Sequence, residues 1–86
     1  MGRRHKELIK AAIRADLLAQ FARQRAREGE SLSWQWLYGE FLPSLSRKEL
    51  IALEECLAEM ITQGLIVPVQ AVRPSYALTA RGAALL

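Results

Sequence analysis

Hydrophobic residues recur every three or four positions along much of this 86-residue chain, the spacing of amphipathic helices. A run of helix formers without proline or glycine predicts a long first helix from near Arg4 to near Arg27. The helix carries two apolar stripes, one of small residues and one of bulkier residues, and each stripe requires a neighbour. The small stripe is Leu8, Ala12, Ala15, Ala19 and Ala22. We expect one stripe to cover the core and the other to meet a second copy, and we assign the homodimer interface to Ile9, Ile13, Leu17 and Phe21.

A shorter second helix is expected to begin after Ser33, which is a favourable N-cap residue. The side chains expected on its buried face are Trp34, Leu37 and Phe41. Trp36 and Tyr38 point elsewhere, so core packing, a dimer interface and base stacking all stay open for them, with packing favoured. Pro43 is expected to stop the helix and to turn the residue before it toward extended geometry.

The third helix has the best-marked boundaries. Ser46 and Glu49 form a capping box at its start, and Gly64 supplies a left-handed residue at its end. The residues expected on its buried face are Leu50, Leu53, Leu57 and Met60 or Ile61. Those expected nearer solvent are Lys48, Glu49, Ala52, Glu55, Glu59 and Gln63.

Two short runs of strand-forming residues follow, 65–69 and 76–79, separated by a loop that contains Arg73 and Pro74. They predict a β-hairpin. The fold class is therefore mostly α with a small β-hairpin. We expect one domain over residues 1–86, in which residues 1–28 form the long basic helix, residues 28–31 form a short joint, and residues 32–86 form the remainder.

Charge is distributed unevenly behind the formal net value of +3. Residues 1–27 hold eight basic and two acidic side chains, whereas residues 28–63 hold two basic and seven acidic ones. This polarity points to a polyanion or an acidic protein surface as partner, although a basic shell that keeps an alanine-rich helix in solution explains the first helix equally well.

The order helix, helix, turn, capped helix, strand, loop, strand resembles the winged helix-turn-helix domains of small bacterial and phage transcription regulators. The resemblance covers residues 32–86. Its carriers are Leu45-Ser46-Arg47-Lys48-Glu49-Leu50, Met60-Ile61-Thr62-Gln63-Gly64-Leu65-Ile66 and Tyr76-Ala77-Leu78-Thr79-Ala80-Arg81-Gly82.

The resemblance implies a protein that binds double-stranded DNA as a homodimer. It places Arg47 and Lys48 at the major-groove end of a recognition helix and Arg73 in the wing, where it reaches a phosphate or the minor groove. Further phosphate contacts are expected from the basic first helix, at Arg3, Arg4, Lys6, Lys10 and Arg14.

Three carboxylates depart from this pattern, because Glu49, Glu55 and Glu59 lie on the helix that would enter the groove, where acid repels phosphate. Glu49 is accounted for by the capping box. Three alternatives stay open: shallow DNA contact through Arg47, Lys48 and Arg73, contact through the first helix, or protein recognition by an adaptor or inhibitor built on the same scaffold.

Other functional classes find little support in the sequence. His5 is the single histidine, the serines fall at caps and turns, and no metal-ligand spacing, phosphate loop or catalytic pair is present, so we expect no enzyme activity, metal or cofactor. The single cysteine, Cys56, is expected to pack in the core. No apolar segment reaches the length of a membrane span, and we expect a cytoplasmic protein.

Overall fold

The computed structural model describes the backbone of residues 2–86 and the side chains of residues 5–86. Helix α1 spans Gly2–Arg23. Helix α2 covers residues 34–44 and consists of Trp34–Trp36, a π-helical turn at Leu37–Phe41 and a last α-helical turn at Leu42–Ser44. Helix α3 spans Arg47–Thr62, and strands β1 and β2 span Ile66–Val69 and Ser75–Leu78. A short helix α4, Ala80–Ala83, follows β2.

Helix α1 ends earlier than predicted, and its last turn shows why. Arg25 adopts a left-handed conformation with φ of 54°. The amide of Ala26 donates to the carbonyl of Phe21 over 2.9 Å, and the amide of Arg25 donates to the carbonyl of Ala22 over 3.0 Å. These two bonds define a Schellman motif, in which the αL position is filled by arginine where glycine is usual. The chain is thereby turned out of the helix before Arg27.

Pro43 does not stop the second helix, contrary to prediction. Leu42 is helical, with φ of −57° and ψ of −45°, and its amide donates to the carbonyl of Leu37, five residues back. The wide π turn lets the helix continue, because the proline ring and its missing amide disturb a regular α-helix at the carbonyl four residues earlier. Ser33 caps α2 as predicted, and its hydroxyl accepts from the amide of Trp36.

The aromatic residues of α2 divide differently from the prediction. Leu37 and Phe41 are buried as expected, whereas Trp34 is 42% exposed. Trp36 is partly buried against the core and stacks on Phe41, with ring centroids 4.6 Å apart. Packing therefore accounts for Trp36, which was one of its three predicted alternatives.

The predicted β-hairpin is confirmed, with strand ends that differ by one residue. β1 and β2 are antiparallel, and Ile66 pairs with Leu78. Residues 29–32 lie on the other edge of β2, where Ser31 bridges Ala77 and the amide of Leu32 donates to the carbonyl of Tyr76 over 3.0 Å. The predicted joint between the first two helices is thus bonded to the sheet.

The core lies where α1, α2, α3 and the hairpin meet. Its largest fully buried apolar side chains are Leu17, Phe21, Leu32, Met60, Ile66 and Leu78. Helix α3 buries Ala52, Leu53, Cys56 and Met60, while Leu50 is 39% exposed. Its buried face is rotated from the prediction toward Ala52 and Cys56, because α1 packs along that side.

Candidate nucleic-acid interface

The start of α3 presents two adjacent cations to solvent. Ser46 fixes this end, because its hydroxyl accepts from the amide of Glu49 over 3.2 Å and the Glu49 carboxylate accepts from the amide of Ser46 over 2.8 Å. This reciprocal pair is the predicted capping box. Arg47 and Lys48 follow at once, and both are exposed. Among the side chains that the structure describes, neither of them takes part in an ion pair.

The carboxylate of Glu49 is held within the capping box. The backbone hydrogen bond from Ser46, together with the one from its side chain, lowers the pKa of Glu49 below its ordinary value of 4.5. The charge also lies at the positive end of the α3 dipole, where an anion is favourable. Glu49 therefore has a structural role, as the sequence indicated.

Glu55 and Glu59, the other two carboxylates that departed from the DNA-binding pattern, face α1. Lys6 forms an ion pair with Glu55, Lys10 donates to Glu59 over 2.5 Å, and Arg14 donates to Gln63 over 3.3 Å. Each pair is separated by 49 residues, so α1 and α3 run parallel and in register over at least two turns. We call this set of three contacts the α1–α3 ladder.

The ladder gives Lys6, Lys10 and Arg14, three of the predicted phosphate contacts, partners on α3, and their contact with phosphate stays a prediction. Lys10 is the clearest case, since its side chain is only 11% exposed and its ammonium also pairs with Glu7 over 2.8 Å. The hydrogen bonds that Lys10 donates to Glu59 and, as the second cause, to Glu7 raise the pKa of Lys10 above its ordinary value. The side chains of Arg3 and Arg4, two further predicted contacts, lie outside the described residues.

Arg73 is exposed in the loop between β1 and β2. Its guanidinium lies 5.5 Å from the centre of the Tyr38 ring, which is within the range of a cation–π contact. The Tyr38 hydroxyl donates to the carbonyl of Pro74. Tyr38 therefore holds the hairpin loop against α2, and Arg73 stays at the surface of that contact.

The predicted homodimer interface is wrong as assigned, because the core of the same chain takes up most of it. Ile13, Leu17 and Phe21 are at most 3% exposed, and Ile9 packs against the same core. The opposite, small-residue stripe is the one left in solvent, and Leu8 at its start is 66% exposed. Sequence spacing marked both stripes but did not distinguish their neighbours.

Sequence reasoning missed an apolar feature on the outward side of α3. Leu50, Ile51 and Ile61 are each more than one third exposed, although Leu50 was expected on the buried face and Ile61 was one of two alternatives for it, the other being Met60. The exposed carboxylate of Glu54 lies on the same side of the helix. The missed signal was a shared spacing of four residues. It occurs in Lys6, Lys10 and Arg14 of α1 and again in Glu55, Glu59 and Gln63 of α3. Pairing of the two sets determines which side of α3 faces α1.

Cys56 is buried, as predicted, and its thiol lies 3.9 Å from the Met60 sulfur. Burial is the main cause that raises the pKa of this thiol. Among the described side chains, no group of three or more His, Cys, Asp or Glu residues is arranged to hold a metal ion. Over the same part of the chain, none of the helices combines the length and apolar character needed to cross a membrane.

Comparison of the chain with protein families, with curated proteins and with solved structures yields no match.

Proposed function

We propose that this chain is a winged-helix domain of the cytoplasm that binds double-stranded DNA as a small, non-enzymatic regulator or accessory factor. The order of elements supports the proposal. A long helix, a short segment bridged to the sheet, two further helices and an antiparallel hairpin follow one another. In this arrangement α3 is the recognition helix, and residues 70–74 are the wing.

The observation that carries the proposal is the charge left exposed on α3. Glu49, Glu55 and Glu59 are all engaged within the chain. The exposed cations Arg47 and Lys48 stand at the end of the helix that enters the major groove in this class of domain. Glu55 and Glu59 are still 40% and 52% exposed, but each is paired with a lysine, so among the described side chains Glu54 is the exposed carboxylate of α3 without a cationic partner.

The mechanism is positioning of the domain on the duplex. Arg47 and Lys48 contact phosphates or the acceptor atoms of guanine in the major groove, and Arg73 contacts a flanking phosphate. Glu54 faces the same groove, where a carboxylate accepts a hydrogen bond from the amino group of cytosine. The proposal does not depend on a dimer, since the interface assigned from the sequence is buried within one chain.

The test is fluorescence anisotropy of a labelled duplex titrated with the protein at two salt concentrations. Three phosphate contacts predict that affinity falls roughly 40-fold between 50 and 200 mM salt. The triple variant Arg47→Ala/Lys48→Ala/Arg73→Ala should lose most of the binding and most of this salt dependence.

A charge-matched control is Arg23→Ala/Arg27→Ala/Arg81→Ala. Arg23 is the last residue of α1, Arg27 follows in the segment after that helix, and Arg81 lies near Gly64 at the C-terminal end of α3. Because the two helices are parallel, all three residues are at the opposite end of α3 from Arg47. The control should retain most of the affinity, and equal losses in both triple variants would contradict an interface at the start of α3.

A second candidate, protein recognition, rests on the apolar outward side of α3. Leu50, Ile51 and Ile61 are exposed on the same side of α3 as Glu54, a composition more typical of a protein interface than of a DNA-reading helix. The same titration separates the two candidates. If the wild-type protein shows no DNA binding at 50 mM salt, the proposal fails and protein recognition takes its place.

A further inference from the structure

A cleft of about 230 Å³ opens between the N-terminal parts of α1 and α3. Residues of α1 supply one wall and residues of α3 the other. The lining residues are His5, Lys6, Ile9, Lys48, Ile51 and Ala52. Lys6, one of the lining residues, also makes the first contact of the ladder, with Glu55.

The lining divides into an apolar floor and a cationic rim. Ile9, Ile51 and Ala52 provide the floor, and the rim consists of nitrogen-bearing side chains. Lys48 has no ion-pair partner among the described side chains. Lys6 is bound to Glu55, but its side chain is still 46% exposed and an ammonium has three donors. Among the described side chains, those that line the cleft include no carboxylate, and Glu55 is the carboxylate bound to the Lys6 ammonium.

The field of the backbone acts in the same direction as these side chains. Helices α1 and α3 run parallel, so their positive ends lie at the same end of the domain as the cleft. A rim of cations around an apolar floor complements a ligand that has one negative charge and a short apolar body. The volume is large enough for several water-sized groups.

We propose that this cleft binds a small organic acid, with its carboxylate at Lys48 and Lys6 and its apolar body on Ile9 and Ile51. This site goes beyond the proposed function and is tested without DNA. One consequence rests on the proposed function. Lys48 belongs to both the cleft and the DNA-binding surface, so the acid competes with DNA, and DNA binding weakens as the concentration of the acid rises.

The experiment is a titration of ¹⁵N-labelled protein followed by amide chemical shifts, with hexanoate as probe. Hexanoate has eight non-hydrogen atoms, and we expect saturable shifts at Ile9, Lys48 and Ile51 with a Kd of about 1 mM. Hexanamide has the same apolar body without the charge, and inorganic phosphate has charge without the body. Neither should give saturable shifts at these positions.

Two pairs of variants locate the site. Lys48→Gln should weaken hexanoate binding about fivefold or more, whereas Arg81→Gln, at the other end of α3, should leave it unchanged. Ile51→Ser should weaken binding through the floor, and Ile61→Ser, at another exposed isoleucine of the same helix, should not. All four side chains are exposed, so the fold is expected to persist.

The absence of saturable shifts up to about 20 mM hexanoate overturns the site. Equal shifts with phosphate also overturn the site, because they would reveal an adventitious ion only. Equal shifts with hexanamide would overturn the proposal that the cationic rim binds the carboxylate. These readings hold whether or not the protein binds DNA. If DNA binding is found, hexanoate at saturating concentration should lower its affinity, and Lys48→Gln should abolish that effect.

Discussion

The ammonium of Lys10 lies 2.5 Å from the carboxylate of Glu59. These two residues are 49 positions apart in the chain and join α1 to α3. Glu7 holds the same ammonium from the preceding turn of α1. The basic first segment and the acidic middle segment of the sequence are therefore partners of each other. Among the described side chains, two of the eight basic residues of the first segment, Lys6 and Lys10, pair with two of the seven acidic residues of the middle segment, Glu55 and Glu59, so part of the charge polarity is balanced within the chain.

We predict that Lys10 and Glu59 are energetically coupled. Lys10→Met removes the cation between two carboxylates, and Glu59→Gln removes one of those carboxylates, so each change should lower the free energy of unfolding. The double variant should lose less than the sum of the two, because the second change removes a partner that is already absent. Urea denaturation of the four proteins measures the coupling.

A control cycle with Lys48→Met and Glu54→Gln uses two exposed residues of α3 that form no ion pair with each other. Its two changes should add within error. Additive behaviour in the Lys10–Glu59 cycle as well would show that the ladder makes no net contribution to stability.

The bulky stripe of α1 gives a second prediction. Leu17 is 1% exposed in the core, so Leu17→Ala should lower the free energy of unfolding by about 2–5 kcal/mol through lost burial and the cavity left behind. Ala19→Ser, on the exposed stripe, should change it by less than about 0.5 kcal/mol. Thermal or urea denaturation measures both.

Sedimentation of the same two variants tests the correction of the dimer interface. A dimeric wild type that dissociates in Leu17→Ala without loss of stability would restore the interface assigned from the sequence. The structure predicts the reverse, a destabilised chain whose oligomeric state is unchanged.

Features with a local signal were predictable from the sequence. Ser46 and Glu49 are three residues apart, and Gly64 and Leu65 adjoin the end of α3, so the chemistry that begins and ends this helix is contained in short segments. The hairpin was likewise placed within one residue, because strand-forming runs on either side of Arg73 and Pro74 identify it. These elements place Arg47, Lys48 and Arg73 at the surface, and the role of the three residues in DNA binding stays a prediction.

Features that depend on a distant neighbour were not predictable in this way. The two stripes of α1 have nearly equal helical spacing, so periodicity alone does not tell which one meets Met60 and Ile66. From the sequence alone Lys10 was interpreted as a free cation, because its partner Glu59 lies 49 residues away on α3. Pro43 was predicted to stop the second helix. The helix continues because a π-helical turn, which ends at Phe41, precedes the proline.

Arg25 gives a third prediction, because this non-glycine residue adopts a left-handed conformation with φ of 54°. Arg25→Gly should raise the free energy of unfolding by about 0.5–1 kcal/mol, since glycine enters the left-handed region without the steric cost. In a domain of this size that is a rise of several degrees in Tm. Arg27→Gly removes the same charge two residues later, outside that conformation, and should give no such gain. A fall in Tm for Arg25→Gly would contradict the strain.

Gly82 gives a fourth prediction. A Cβ at this position would lie 2.1 Å from the backbone carbonyl oxygen of Leu65, which cannot move without shifting the start of β1. Gly82→Ala should therefore lower the free energy of unfolding by about 1–3 kcal/mol. The matched control is Gly39→Ala in α2, where no atom lies within 4 Å of the new methyl group, and it should be neutral or stabilising by up to about 1 kcal/mol. Similar losses in both variants would remove the steric explanation.

The capping box makes a prediction about pH. Hydrogen bonds from Ser46 lower the pKa of Glu49 in the folded chain below its ordinary value of 4.5, so ionised Glu49 stabilises the fold above that value. This contribution is lost as the pH falls through the lowered pKa, because the carboxylate is then protonated in both the folded and the unfolded chain. Glu49→Gln keeps an acceptor at the same position but cannot ionise.

Urea denaturation of the wild type and of Glu49→Gln between pH 3 and pH 7 measures this effect. The wild type should be the more stable at neutral pH, and the difference should shrink as the pH falls below 4.5. Glu54→Gln removes the same charge from an exposed site of α3 that has no capping bond, and the pH-dependent loss should be larger for Glu49→Gln than for this control. A difference that stays constant over the whole range would mean that the charge of Glu49 contributes nothing to the cap, and that an uncharged acceptor holds the start of α3 equally well.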